Sequence, residues 1–271
     1  MTTMGTPDGP TSPLISCILP LYEDAGLARG ALASVLGQTL GALDVIVVDD
    51  SQTADLKPAL ADLLEDPRVR YLAGARTGNP ADNWNLGLSL ARGRWSVLVH
   101  HDETLDDTGF LERAARRLER APGRALLTGT GVQGRASRFA AVAAIARRVR
   151  LPAWTLCLAN WAGPTAALVF PTAAELRFDP RLAWIVDVDF YVRLWRRTGP
   201  FLRDDAVAVV SLAHPHQITA RLDTAAAHRR ELALLWRDGR LTAWQAAFLR
   251  VALDLKRLAG ALGRPSPTRA G

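Results

Sequence analysis

The chain has 271 residues, 49% hydrophobic and 22% charged, a globular balance that allows one sizeable core, alone or with a small subdomain. No run of about 18 apolar residues occurs, so no membrane-spanning helix is expected. The formal charge of +6 invites a nucleic-acid partner, but lysine occurs only at Lys57 and Lys256 and the arginines are dispersed, so compositional bias is the better account and no nucleic acid is expected.

Residues 1–13, rich in Thr, Pro and Gly, lack the basic-then-apolar layout of a signal peptide and read as a disordered lead-in. Ile15–Leu19 is a short apolar run ended by Pro20, and Leu27–Leu36 has helical spacing. Asp44–Val48 is apolar and β-branched and stops at Asp49 and Asp50. A polar helical stretch runs to about Leu64, Arg68–Leu72 is a third strand, and Ala81–Ala91 is a helix closed by Gly93. Trp95–Val99 is a fourth strand. Short apolar strands alternating with helices predict right-handed βαβ units, an α/β fold with a mostly parallel, Rossmann-like central sheet.

The second half is less regular. Phe139–Val149 is amphipathic, Asn160–Thr165 is a turn-rich break, Ala166–Phe170 is a strand and Val188–Arg197 a helix. Ala206–Leu212 is a further strand, and two basic helices follow at about Ala225–Trp236 and Ala243–Leu262, with a tail over 263–271. No long linker separates two domains. The expectation is one domain over 14–262: a nucleotide-binding half (14–103), an acceptor half (104–220) and C-terminal helices (221–262). Arginine clusters at Arg113–Arg120, Arg147–Arg150 and Arg229–Arg240 fall on helical patterns and are expected to be solvated faces. An anionic membrane surface or lipid-phosphate acceptor is the second reading of the last two. Cys17 and Cys157 sit among apolar neighbours, as buried free thiols in a reducing compartment do, which makes the cytoplasm the default location.

A parallel sheet binds ligands at the carboxyl ends of its strands. Here those ends carry Pro20, Leu21, Tyr22 and Glu23, then Asp49, Asp50 and Ser51, then His100, His101, Asp102 and Glu103. No phosphate-binding glycine loop follows the first strand, so phosphates are expected to be held through a divalent cation.

These residues carry a resemblance. SCILPLYEDAGLARGALASVLGQTLGALDVIVVDDSQTAD, NWNLGLSLARGRW with SVLVHHDE, NWAGPTAALVF, LAWIVDVDFYVRL and SLAHPHQIT resemble, in order, the segments of family-2 glycosyltransferases of the glycosyltransferase-A fold, over about Ser16 to Thr219. The resemblance implies a nucleoside pocket lined by Pro20, Tyr22, Glu23, Asp49 and Asp50, with Asn83 and Asn85 facing the nucleotide or capping a helix. Where many relatives have Asp-x-Asp, this chain has His100-His101-Asp102-Glu103. Asp102 matches the metal-binding aspartate, with His100 and a late histidine, His214 or its neighbour His216, as further ligands for Mn²⁺ or Mg²⁺. Asp187 resembles the catalytic base, with Asp189 the near alternative and Val186 where a glutamate is typical. Trp161, Gly163 and Trp184 flank the acceptor side, where the tryptophans stack on a sugar or pack the core.

The resemblance further implies inverting transfer from a nucleoside-diphosphate sugar to a hydroxyl of a glycan, lipid-linked or small-molecule acceptor. The alternatives are a nucleotidyltransferase and a degenerate, non-catalytic sugar-nucleotide-binding relative, the latter suggested by His100 and Val186.

Overall fold

The computed structural model of the chain describes residues 12–53, 55–132, 151–212 and 222–262. Most of the lead-in, the helix expected over 139–149, the Arg147–Arg150 cluster, His214, His216 and the tail lie outside them. Strands β1 (Ile15–Leu21), β2 (Leu43–Asp49), β3 (Val69–Ala73) and β4 (Trp95–Leu98) pair in parallel in the order β3-β2-β1-β4. Every residue of β1 and β2 is buried, which is why both read as continuous apolar runs and not as alternating ones. Pro20 does not end its strand. The last β1 residue paired with β4 is Ile18, so the missing N–H of Pro20 points past the end of that neighbour and forfeits no ladder bond.

Helix α1 (Ala25–Leu36) connects β1 to β2, and the Asp24 carboxylate caps it by accepting from Leu27 N at 2.9 Å. A 3₁₀ turn (Lys57–Leu60) and the single-turn α2 (Ala61–Leu64) lead to β3. Helix α3 (Pro80–Ser89) then returns the chain to β4. It is capped by Asn79, with Pro80 at its first position, so neither Asn83 nor Asn85 is its cap. The chain advances outward through β1, β2 and β3 and jumps back to β4. With right-handed crossovers, this reversal puts α1 and α3 on opposite faces and opens a crevice between the ends of β1 and β4.

Beyond β4 the sheet becomes mixed. Strand β5 (Glu103–Leu105), helix α4 (Phe110–Glu119), β6 (Leu126–Val132) and β7 (Leu168–Pro171) follow, then α5 (Val186–Thr198), β8 (Leu202–Ser211), α6 (Thr224–Arg237) and α7 (Ala243–Leu262). Their strands extend the same sheet as β4-β7-β6-β8-β5, with β7 antiparallel to both β4 and β6, and β6 parallel to β8. Neither β5 nor β6 is among the expected strands. One has three residues, and the other, LLTGTGV, carries two glycines and is irregularly paired around Gly129.

Asn85 holds the two halves together, donating to Phe178 O at 2.9 Å and accepting from Phe178 N at 2.8 Å. Cys17 and Cys157 are buried free thiols.

Gly93 does not close α3, whose C-cap is Leu90. Its N–H donates to the buried Ser16 hydroxyl at 2.8 Å, and that hydroxyl donates to Asp44 at 2.8 Å. A Cβ on Gly93 would lie 2.4 Å from Ser16 N and 2.7 Å from Ile15 C, against backbone that cannot give way. Gly93→Ala is therefore expected to cost about 2–3 kcal/mol. Urea denaturation checks this as a lower midpoint at unchanged slope.

Candidate active site

The turn after β2 is organised by its own acids. Asp49 Oδ1 accepts from Ser51 N at 3.0 Å and Ser51 Oγ at 2.6 Å, and Oδ2 from Tyr71 Oη at 2.5 Å and Leu56 N at 2.9 Å. Asp49, expected on the nucleotide, spends its lone pairs on the protein. Glu23 does the same. It sits at φ 59° in the β1–α1 turn and accepts from Gln52 N at 2.7 Å, Thr53 N at 3.0 Å and the Thr53 hydroxyl. These bonds, led by the Thr53 hydroxyl, hold its carboxyl below the usual range. Pro20 is buried within β1, whereas Tyr22 is 44% exposed at the lip of the crevice.

Asp50 differs from its neighbour. It is buried, accepts from Arg76 N at 2.6 Å, and burial pushes its carboxyl upward, helped by the charges of Asp49 and Asp82. Asn83 is also buried: its amide donates to Val48 O at 3.2 Å while its Oδ1 has no partner. A Cβ on Gly74 would fall 2.7 Å from Asp50 Oδ1 and 3.1 Å from Asn83 Oδ1. Two acceptors thus converge on a space that only glycine leaves open, a fit for the N–H edge of a base or a hydroxyl. Gly74 follows the third strand at the ligand edge, the signal by which it could have been found.

The turn after β4 gathers His100, Asp102 and Glu103, whose ligand atoms lie within 4.8 Å of one another. His100 Nδ1 is 3.5 Å from Glu103 Oε1, and Glu103 Oε2 accepts from His100 N at 3.0 Å. Trp84 of α3 packs on the His100 ring at a centroid distance of 4.8 Å, and His100 Nε2 is buried with no partner. Burial opposes the imidazolium, but the charges of Glu103, Asp102 and Asp187 outweigh it and raise the His100 pKa. One nitrogen and two carboxylates this close, with an orphaned imidazole nitrogen, fit a divalent cation such as Mn²⁺.

Asp187, in the first turn of α5, stands opposite. Asn160 Nδ2 donates to its Oδ2 at 2.7 Å, and Val188 N to its Oδ1 at 2.8 Å. Burial pushes the carboxyl up to about 6, against the pull of the Val188 N–H and the His100 charge. Gly163 joins the same loop, exchanging hydrogen bonds with Asn160 at 3.0 Å and accepting from Tyr191 Oη at 3.2 Å.

Other expected residues face elsewhere. Asp189 is 1% exposed and bound to Arg193 at 2.7 Å and Arg240 at 3.0 Å, so its charge ties α5 to the α6–α7 turn. Trp161 is buried, with its indole donating to Thr155 Oγ1 at 3.1 Å and its ring edge-on to Trp195 at 5.9 Å: core, not a sugar platform. Asn85 is the bridge to Phe178. Trp184 is half-buried against the core.

The model of glycosyl transferase family 2 matches residues 16–151, half of the chain. The chain belongs to that family. It is 33% identical over 150 residues to the succinoglycan biosynthesis protein ExoO of Rhizobium meliloti (52% of this chain, 42% of that protein). An uncharacterized protein of Mycobacterium tuberculosis is 30% identical over 237 residues (80% and 69%). A β-1,3-glucosyltransferase of Campylobacter jejuni, named for a GalNAc(5)-diNAcBac-PP-undecaprenol acceptor, is 30% identical over 95 residues (34% and 31%). The chain thus spans less than half of the succinoglycan protein.

Two solved structures share the fold. The mannosyltransferase PcManGT of Pyrobaculum calidifontis, with GDP-Man and Mn²⁺, has a TM-score of 0.66 at 18% identity, over 95% of this chain and 78% of that one. TarS 1-349 of S. aureus with UDP-GlcNAc has a TM-score of 0.61 at 15% identity, over 82% and 67%. The fold is therefore of the glycosyltransferase-A type.

For a family-2 chain with Val186 before Asp187, one unanticipated residue explains how α5 begins. Glu231 of α6 is 1% exposed and accepts from Ala183 N at 3.0 Å, Trp184 N at 3.0 Å and Ile185 N at 3.0 Å. It caps the amides just ahead of α5 from a distance in sequence that no local cap pattern reveals. Glu231→Ala strands those donors and is expected to cost about 3 kcal/mol. Hydrogen exchange should show residues 183–188 losing protection more than β1 or β2 does.

Proposed function

We propose that this chain is an inverting, metal-assisted glycosyltransferase that moves a sugar from a nucleoside diphosphate to an acceptor hydroxyl. The observation that carries this reading is the meeting of Asp187 with the His100–Asp102–Glu103 turn, which come from opposite halves of one sheet and feel each other's charge. Family membership supports transfer over the nucleotidyltransferase and non-catalytic readings.

In this proposal Asp50 and Asn83 accept from the base or ribose in the space beside Gly74, and Tyr22 offers its exposed ring for stacking. Asp49 and Glu23 shape the loops that present them. Asp102, Glu103 and His100 would hold a divalent cation, which supplies positive charge against the departing diphosphate. Asp187 takes the proton of the acceptor hydroxyl as that oxygen attacks the anomeric carbon from the face opposite the leaving group. Asn160 donates to one Asp187 oxygen and the Val188 amide to the other, which aims the carboxylate. The alternative base, Asp189, is neutralised by two arginines and is a positioning residue here. The acceptor is a sugar hydroxyl of a growing or lipid-linked glycan, the class to which the succinoglycan and undecaprenol-linked names belong.

Asp187→Asn is expected to lower kcat by about 10²–10⁴ while donor binding, measured calorimetrically, stays within about twofold. Loss of donor binding would reassign Asp187. A base whose pKa is raised to about 6 is protonated and idle below that pH, so kcat in the parent enzyme should rise with pH through about 6 and level off above it. Asp102→Ala should abolish Mn²⁺ binding as read by electron paramagnetic resonance, with folding intact by circular dichroism. Unchanged Mn²⁺ affinity would dismiss the site.

A further inference from the structure

Most of the exposed large apolar side chains among the described residues lie on the last helix. Trp244 (59% exposed), Phe248 (49%), Val251 (58%) and Leu255 (61%) follow one another at spacings of four, three and four, one stripe along α7. The opposite face carries the buried Leu249 and the partly buried Leu253, so the helix is docked on the protein and offers a second apolar face outward. Trp154 widens the patch, edge-on to Trp244 at 5.2 Å and to Phe248 at 5.6 Å. Beside it runs a shallow groove lined by Arg229, Leu232, Ala233, Trp236, Ala246 and Arg250, in which Trp236 is 49% exposed.

The charge around this surface decides its partner. Arg229, Arg230, Arg237 and Arg250 are exposed on α6 and α7. Of the acids on or bounding these helices, Glu231 is buried and Asp238 pairs with Arg181 at 2.6 Å and Arg240 at 3.3 Å, which leaves Asp254 and the α6 N-cap Asp223 as exposed acids against the four arginines. A second copy meeting this face through a twofold axis would set arginines against arginines. An anionic bilayer surface satisfies both features, with the aromatic and aliphatic stripe in the acyl boundary and guanidinium groups at the phosphates. No helix of the described residues is long and apolar enough to cross a membrane, so the contact would be peripheral.

We propose that α6 and α7 form an interfacial platform that docks this protein on an anionic lipid surface through Trp244, Phe248, Val251 and Leu255, flanked by Arg229 and Arg250. This is independent of the sugar-transfer reading, but it bears on the site. The turn that carries Trp154 (Ala153–Cys157) leads directly to Asn160, which holds Asp187, so docking brings the acceptor side of the crevice toward the bilayer.

The test is sedimentation of the full chain with vesicles of phosphatidylcholine and phosphatidylglycerol, against phosphatidylcholine alone. The expected result is partition onto the anionic vesicles, weakened by salt and accompanied by a blue shift of tryptophan emission. W244S/F248S and V251S/L255S should each weaken partition by about tenfold or more, and R229E/R250E should abolish the preference for anionic lipid. Because W244S/F248S disturbs the packing of Trp154, V251S/L255S is the decisive variant, with thermal melts checking that it folds. Absence of partition, equal partition onto neutral vesicles, or unchanged partition of V251S/L255S overturns the proposal. So does a dimer in solution that V251S/L255S dissociates, which would assign the stripe to a second copy.

Discussion

Two residue pairs join the molecule into one sheet: Trp95 with Pro171 and Ser96 with Phe170, where β4 meets β7 antiparallel. Everything at the ligand edge depends on that short seam. The turns bearing Asp50 and His100 belong to the parallel side and Asp187 to the other, and the sheet that continues across holds them in one frame. The seam is short, so it is reinforced beside the ladder. Ser96 and Thr172 share a hydroxyl bond at 2.8 Å, and Asn85 clasps the backbone of Phe178. Phe178 in turn stacks on Phe190 of α5 at 4.3 Å and meets Trp84 edge-on at 4.9 Å. Since Trp84 also packs on His100, a column of rings runs from the helix bearing Asp187 to the candidate metal turn. Rotamers are hard to change in such a column, so aromatic packing holds the start of α5 in place relative to the His100 turn.

Acids at the site divide by whether the protein has already met their hydrogen-bonding needs. Asp49, Glu23, Asp189 and Glu231 are saturated by amides, hydroxyls or arginines, and their work is to hold turns and helix ends in place. For Asp50 and Asp187, by contrast, burial raises the cost of the charged form. That cost is the physical mark of a group kept ready for a ligand or a proton. A motif reading sees both kinds as conspicuous carboxylates and does not separate them, because saturation also depends on partners distant in sequence, such as Tyr71 for Asp49 and Arg240 for Asp189.

Arginine plays a parallel double role. Arg193 and Arg240 are drawn inward to neutralise Asp189 and Asp179, fastening α5 to the C-terminal helices. Arg229 and Arg250 stay outside beside an apolar stripe. The high arginine content is thus part internal mortar and part surface charge, and net charge alone does not distinguish them.

The α/β class and the parallel pairing of the first four strands were legible in the sequence, because buried β-branched runs such as Asp44–Val48 are local signals. So were the bounds of α7, whose hydrophobic period extends over its whole length. The extension of β1 through Pro20 was not legible, since it rests on where β4 stops. Nor were β5 and β6, too short or too glycine-rich to carry a pattern. Among candidate site residues, the sequence by itself determined which types stand at the strand ends, Asp50, His100 and Asp102, and which begins a helix, Asp187. Only the tertiary structure decided which of them face open space. It left Asn83 Oδ1 without a partner beside Gly74, turned Asp189 and Trp161 into the core, and brought Glu231 back from α6 to begin α5. The reason is physical: side-chain chemistry is local, whereas burial and saturation of hydrogen bonds are properties of neighbours the chain brings in from afar.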